Sequence, residues 1–331
     1  MLRILRAAVV LLVSCTGPAL GRTWYVHPDS ALSSIQAGLD SSAAGDTVLV
    51  GPGTYAGAGS WPQVAGITVR SELGPAATVV GSGYPSYGFT LFYVPGRATI
   101  SGFSIDSCYN DPGGGVYASN CTLDIYNCDI DACGSRLGGG VYCEYGKYTV
   151  RNCRVTNCET ILYSPGGIGF GINCLALVES CTVTDNWGGG IEFSYGESTV
   201  VRHCNIMGNR GVGVGNGGQA WNTDARYNWW GDASGPYHPT LNPSGRGDTV
   251  SDYVDFDPWL TGPVGVDETP DASRLTQNAG ASILHGASGV ARDASCVVYD
   301  ITGRRVIEPK TGAYFVRESA TSSVRKVVIT R

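Results

Sequence analysis

The chain is short of charge. Only 15% of its 331 residues are Asp, Glu, Lys or Arg, and the net charge of -6 is not gathered into any block of one sign. Nothing therefore points to nucleic acid or an anionic membrane surface as a partner. Histidine is scarce too: His27, His203, His238 and His285 lack zinc-type spacing, which argues against a His/Cys metal cage. Methionine occurs twice, and few stretches show helical periodicity. Beyond the N-terminus no apolar run approaches the roughly 20 residues that a membrane-spanning helix needs. Glycine is abundant, at 48 residues, in a chain that is 43% hydrophobic. That combination suits many short strands joined by tight turns.

Residues 1–21 read as an export signal. Arg3 and Arg6 precede the apolar run Ala7 to Val13, and Ala19-Leu20-Gly21 supplies a small-x-small cleavage site. Leu12-Val13-Ser14-Cys15 also matches a lipoprotein box with Cys15 as the lipidated residue. Cleavage after Gly21 is preferred because strand-like Thr23-Trp24-Tyr25-Val26 follows at once. The expected location is secreted or cell surface.

The middle of the chain repeats itself. A glycine-led strand recurs as Gly115-Val116-Tyr117, Gly140-Val141-Tyr142, Gly167-Ile168-Gly169, Gly190-Ile191-Glu192 and Gly213-Val214-Gly215, at steps of 25, 27, 23 and 23. A second element keeps phase with it: Asn127-Cys128-Asp129-Ile130, Asn152-Cys153-Arg154-Val155, Ser180-Cys181-Thr182-Val183 and His203-Cys204-Asn205-Ile206. Gly102-Phe103-Ser104-Ile105 extends it backward and Arg226-Tyr227-Asn228-Trp229 forward. Val150, Cys153 and Val155 cannot share one face of a straight strand, so a bend is expected near Asn152. The aligned bend residues are Gly102, Asn127, Asn152, Ser180, His203 and Arg226; glycine and asparagine tolerate the left-handed backbone such a bend needs. Each repeat thus reads as one coil of three short strands.

These repeats resemble those of the pectate-lyase-like superfamily, over roughly residues 23–260. The opening Ser34-Ile35-Gln36-Ala37-Gly38-Leu39 with Gly45-Asp46-Thr47-Val48-Leu49-Val50 is similar to the start of bacterial members. Asn228-Trp229-Trp230-Gly231-Asp232 resembles their closing segment. The resemblance implies an all-β fold, a right-handed parallel β-helix spanning residues 22–260. Ile35 and Leu39 lie one helical turn apart, which suits a short amphipathic helix over the first coil's open end.

Residues 261–273 read as a linker. Residues 274–331 carry Cys296-Val297-Val298-Tyr299-Asp300-Ile301-Thr302-Gly303, then Gly312-Ala313-Tyr314-Phe315-Val316-Arg317, then Lys326-Val327-Val328-Ile329. Their order, spacing and terminal position resemble the sorting domain of the type IX secretion system. The alternation predicts a small antiparallel β-sandwich with turns at Thr302-Gly303 and Thr311-Gly312.

Of the 12 cysteines, Cys128, Cys153, Cys181 and Cys204 stack at one coil position. Cys108, Cys133 and Cys158 stack at another, which continues as Asn186 and Asn209. Parallel Cβ vectors aim such sulfurs poorly for bridging, so free interior thiols are expected, with disulfides or a soft-metal ladder as the alternatives. Asn186 and Asn209 are expected to satisfy backbone groups of neighbouring coils. Replacing Cys153 by Ser is expected to bury a hydroxyl without a partner.

The outward positions of the glycine-led strand are the expected functional surface. One column reads Tyr117, Tyr142, Gly169, Glu192, Gly215; its neighbour reads Ser119, Glu144, Gly171, Ser194, Gly217. Tyr117, Tyr142, Glu144 and Glu192 are the candidate substrate-binding residues, forming a track on which sugar rings stack, with Gly169 and Gly215 leaving room for a chain. The alternative is a merely solvated sheet face. Glu144 and Glu192 are weak catalytic candidates, because two coils and two residues separate them by about 12 Å. Paired glycosidase carboxyls need about 5–9.5 Å. Asp124, Arg151 and Arg154 are lyase candidates by residue type alone. Asp252, Asp255 and Asp257 are weak metal candidates of oxygen-ligand type, with end-capping the preferred role; no cofactor is called for and calcium has no other support. Three functions follow: a glycan-binding or adhesive surface protein, a polysaccharide lyase or glycoside hydrolase, and a structural surface protein without a small ligand. The expected partners are a polysaccharide or cell-surface glycan and, through the C-terminal domain, the secretion machinery.

Overall fold

The computed structural model describes residues 21–81, 88–161, 165–195, 198–218 and 222–265, with the strands Ser282–His285, Cys296–Asp300, Gly312–Glu318 and Val324–Thr330. Up to residue 265 it is a parallel β-solenoid with three long sheets, of ten, seven and eight strands. One coil visits them in turn: Thr122–Tyr126 in the ten-stranded sheet, Asp129–Asp131 in the seven-stranded, Val141–Glu144 in the eight-stranded. Each strand pairs in parallel with its counterparts one coil before and after. No helix among the described residues is long and apolar enough to cross a membrane.

Alternation decides which side chains enter the core. Ile100, Ile125, Val150, Val178 and Val201 form one buried column, Ile105, Ile130, Val155, Val183 and Ile206 a second, and Val116, Val141, Ile168, Ile191 and Val214 a third. A one-residue slip would turn an entire column out to solvent, so the register is fixed by hydrophobic burial. The first coil is closed by the helix Ile35–Asp40, whose Ile35 and Leu39 are fully buried. Ser34 caps it, its hydroxyl accepting from the Ala37 amide at 3.1 Å.

The corner between the ten- and seven-stranded sheets turns on single residues of positive φ: Gly102 (78°), Asn127 (52°), Asn152 (51°), Ser180 (55°) and His203 (54°). The last rung departs from the expected alignment. Tyr227 (φ 61°), not Arg226, takes the bend, and Asn228 follows Cys204 in the stacked position. The reason is hydrogen bonding: from that register the Asn228 side chain accepts from the Cys204 amide at 2.8 Å and donates to the Val201 carbonyl at 2.7 Å.

The cysteine columns do the same with weaker groups. Cys181 N–H donates to Cys204 Sγ at 3.4 Å, and Cys204 Sγ lies 3.8 Å from the Val178 carbonyl. In the other column Asn186 accepts from Cys158 N–H at 3.0 Å and donates to the Val155 carbonyl at 3.0 Å and to Asn209 at 2.9 Å. Asp248 ends that column, accepting from the Gly208 and Asn209 amides and the Asn209 side chain. The ten cysteines from Cys108 to Cys204 are all buried and unbridged. The expectation for Cys153→Ser needs correcting: the Cys153 sulfur already meets the Arg151 carbonyl at 3.2 Å and the Cys128 amide at 3.5 Å, so a hydroxyl there finds partners.

After the last coil the chain turns back over the seven-stranded sheet. Val264 is clamped by the Asn205 side chain, which accepts from its N–H at 2.8 Å and donates to its carbonyl at 2.9 Å. The four C-terminal strands form one sheet. Cys296–Asp300, Gly312–Glu318 and Val324–Thr330 pair antiparallel, whereas Ser282–His285 runs parallel to Val324–Thr330. That first strand joins at the sheet's outer edge without a hairpin to its neighbour, so no tight turn dictates its direction. The expected sandwich therefore appears as one mixed sheet among the described residues, and Thr302, Gly303 and Thr311 lie outside them.

Candidate functional site

The three corners are unequal. The two flanking the ten-stranded sheet are mostly one or two residues long, whereas the third, entering the eight-stranded sheet, is longer and varied. It runs from Ser107 to Gly115 in one coil, from Ala132 to Gly140 in the next, and only from Gly208 to Gly211 near the end. Loops of variable length on a rigid scaffold are where binding surfaces are built, and these border the face that carries the candidate residues.

The predicted column is present in register. Tyr142 lies beside Tyr117 on one side and Gly169 on the other; Glu192 lies between Gly169 and Gly215. Its members are not equally open. Tyr117 is only 5% exposed. Its ring takes the edge of Phe92 at 4.9 Å and stacks on Tyr142 at 6.1 Å with 12° between planes. The loop above presses close, for a Cβ at Gly113 would stand 3.0 Å from that of Tyr117. The Tyr117 hydroxyl donates to Glu144 at 2.8 Å. Burial, then this bond and the carboxylate charge, push the Tyr117 hydroxyl well up. Tyr117 is thus a buried support that fixes Tyr142 and Glu144, not the open platform expected of it.

Tyr142 is half-buried, its hydroxyl pushed up to about 12 by burial and the nearby Glu144 charge. Its ring lies down over the next coil: a Cβ at Gly169 would meet Tyr142 Cδ2 at 2.9 Å, and one at Gly171 would meet its hydroxyl at 2.8 Å. The room left by Gly169 is filled by the protein itself. Gly215 serves Glu192 in the same way, with Cγ 3.1 Å from the Cβ position. Glu192 is half-buried and makes no hydrogen bond or ion pair with any described residue; desolvation raises its pKa. Because it leans toward Gly215, away from the coil of Glu144, the two carboxyls do not converge into a glycosidase pair.

Upstream, Gly59, Thr90, Phe92, Asn110, Asp111, Pro112 and Tyr117 line a cleft of about 310 Å³. Phe92 is 45% exposed there, and Asp111 is paired with Arg136 at 3.4 Å. The sequence reading missed Phe92, Asn110 and Asp111. Thr90 and Phe92 stand one coil before Tyr117 and Ser119, and Gly88 leads their strand as Gly115 leads the next, so the glycine-led period carried one coil further back would have reached them.

Residues 90–228 match the family model described as a right handed beta helix region. Over those coils the match agrees with the parallel β-solenoid seen in the structure and supports a right-handed β-helix. No curated protein and no solved structure matches it.

Elsewhere on the β-helix the remaining candidates are engaged in other work. Asp124 and Arg151 lie on the ten-stranded sheet and Arg154 on the seven-stranded one. Asp124 is held bidentately by Arg97, Arg151 and Arg202 flank Glu179, and Arg154 pairs with Asp129. None reaches the eight-stranded face, whose two outward columns contain no lysine or arginine, so the lyase grouping does not form. Asp252 meets His238 at 3.3 Å, Asp255 accepts from Asn222 at 2.9 Å, and Asp257 stands exposed before Pro258. Among the described residues no three His, Cys, Asp or Glu are placed to hold a metal ion. Cys121, Cys143 and Cys174 gather at the corner after the eight-stranded sheet, where burial pushes Cys121 up to about 11 and Cys174 up to about 12. Cys121 and Cys174 share one column with Gly146 between them, and Cys143 stands on the strand of the eight-stranded sheet, so the three leave no run of cysteines on successive coils.

Proposed function

We propose that this is an exported surface β-helix protein that binds a neutral or basic glycan along its eight-stranded face. Residues 1–21 direct export, and residues 274–331 hand the chain to a type IX secretion system. The observation that supports binding is Glu192: a half-buried carboxyl without a partner among the described residues, one coil beyond the glycines that the Tyr142 ring covers. A desolvated group of this kind gains most from a ligand hydroxyl or ammonium. Tyr142 supplies an apolar edge beside it, Glu144 a second acceptor oriented by Tyr117, and Phe92 an exposed ring at the upstream cleft. Glu144, Glu192 and Asp111 disfavour polyuronates.

The test is a glycan array read beside reducing-sugar and unsaturated-product assays on the same panel. Binding without product is expected, with Tyr142→Ala and Glu192→Gln each weakening it at least about fivefold, in line with an aromatic contact or a hydrogen bond of about 1 kcal/mol. Product formation would convert the reading to a hydrolase or lyase, and silence throughout would leave a structural role.

A further inference from the structure

We propose a second binding element on this protein: a ridge of exposed tyrosines at the corner between the eight- and ten-stranded sheets, fitted to flat, extended β-1,4-linked polysaccharide. Successive coils place Tyr93, Asn120, Tyr145 and Asn173 at this corner, with φ of 50°, 55°, 53° and 54°. Their amides repeat one pattern, Tyr93 to the Ser119 carbonyl, Asn120 to Glu144 and Tyr145 to Ile172, so the four are in phase. Asparagine accepts a left-handed backbone readily; a bulky aromatic does so only under strain.

The strain at the tyrosines does not place their rings in the core. Tyr93 is 64% exposed and Tyr145 40%. Neither ring stacks on another, and neither hydroxyl has a partner among the described residues. The same corner, four strands further along the ten-stranded sheet, carries Tyr253, again at positive φ (63°) and exposed. Exposed Phe92 and Ile172 flank the ridge. Strained residues that stay in solvent mark positions held for a purpose other than folding.

Spacing names the occupant. Tyr93 and Tyr145 are two coils apart, about 9.6 Å at the strand spacing. In a flat β-1,4-linked chain every second sugar presents the same face, at a repeat close to that distance. A helical α-1,4-linked chain does not. A ridge one residue wide also lacks the roughly 800 Å² per partner of a stable protein interface, whereas a polymer surface needs only regularly placed rings. These residues are separate from Tyr142, Glu144 and Glu192, so this inference stands apart from the sheet-face reading.

The experiment is depletion of the full chain from solution by microcrystalline cellulose, by chitin and by granular starch. Retention on a β-linked polymer and not on starch is expected. The double variant Tyr93→Asn/Tyr145→Asn should lose at least about tenfold in binding, while its melting temperature holds or rises by a few degrees as strain is relieved. Undiminished retention of the double variant overturns the proposal, as does failure of wild type on both β-linked polymers. So does loss of binding in Glu192→Gln alone, which would leave the sheet face as the binding surface. A dimer that the tyrosine substitutions dissociate in sedimentation would assign the ridge to self-association and likewise overturn it.

Discussion

Asn186 is the position at which the hydrogen-bonded column can be tested most sharply. Its side chain is fully buried. It accepts from the Cys158 amide at 3.0 Å and donates to the Val155 carbonyl at 3.0 Å and to Asn209 at 2.9 Å. Asn186→Ala orphans a buried N–H, which costs about 1–3 kcal/mol, and removes an amide–amide bond worth about 1 kcal/mol. The expected loss is about 2–4 kcal/mol. Asn186→Cys should fall between wild type and alanine, because the cysteines of this column already make the same contacts at longer range, as Cys158 Sγ does with Ile130 O at 3.8 Å. Asn186→Asp should be worst at neutral pH, since its carboxylate would face two acceptors, Val155 O and Asn209 Oδ1. Burial raises that carboxyl's folded pKa, so its penalty vanishes below the unfolded pKa and grows as pH climbs through the folded one. Denaturant melts give the ranking. Because a solenoid can open coil by coil, hydrogen exchange of the Cys158 amide gives the local readout. An alanine variant within about 0.5 kcal/mol of wild type, with Cys158 protection unchanged, would refute the column as a source of stability.

Three further outcomes are expected. Titration without reductant should find the ten buried thiols silent in the native protein and reactive in denaturant, and Cys153→Ser should cost no more than about 1–1.5 kcal/mol because its hydroxyl has partners. Bridged sulfurs would appear as missing thiols. Glu192 has a raised folded pKa, so its contribution is greatest in acid and is lost as pH rises through that value; Glu192→Gln should therefore gain on wild type as pH climbs from the ordinary carboxyl range through the raised pKa. A pH-independent difference in melting temperature would contradict the desolvated environment. Deleting residues 274–331 should leave the β-helix folded but retained inside the outer membrane of a host with a type IX system, and surface display of the truncated chain would remove the sorting role.

The fold was legible because burial repeats. A fixed inward position in each coil, such as Val116, Val141, Ile168 and Ile191, leaves a period that survives varying loop length. The bend was legible at Asn127 and Asn152, where residue type reports backbone conformation, and misread by one at Tyr227, where a tyrosine occupies a left-handed position that sequence rules assign to Gly or Asn. The candidate site was legible only as columns. Tyr117 and Tyr142 read as equivalent surface rings, yet one is buried and the other reclines over Gly169. That difference arises from the overlying loop and from the direction in which side chains lean. Neither leaves a periodic trace. The upstream cleft depends on where the long corner loops fold back, which repeat counting does not address.

The clamp at Asn205 has a mechanical consequence. Tension applied through residues beyond 265 does not begin at the last strand. It meets two hydrogen bonds acting in parallel on Val264, followed by the backbone bonds from Leu260 N–H to the Asn228 carbonyl and from Tyr227 N–H to the Pro258 carbonyl. A chain held by its C-terminal end would therefore transmit force into the side of the solenoid, and its terminal coils would unravel only after this tie had opened. Asn205→Ala should lower the first rupture force in a pulling experiment while leaving the later ones unchanged.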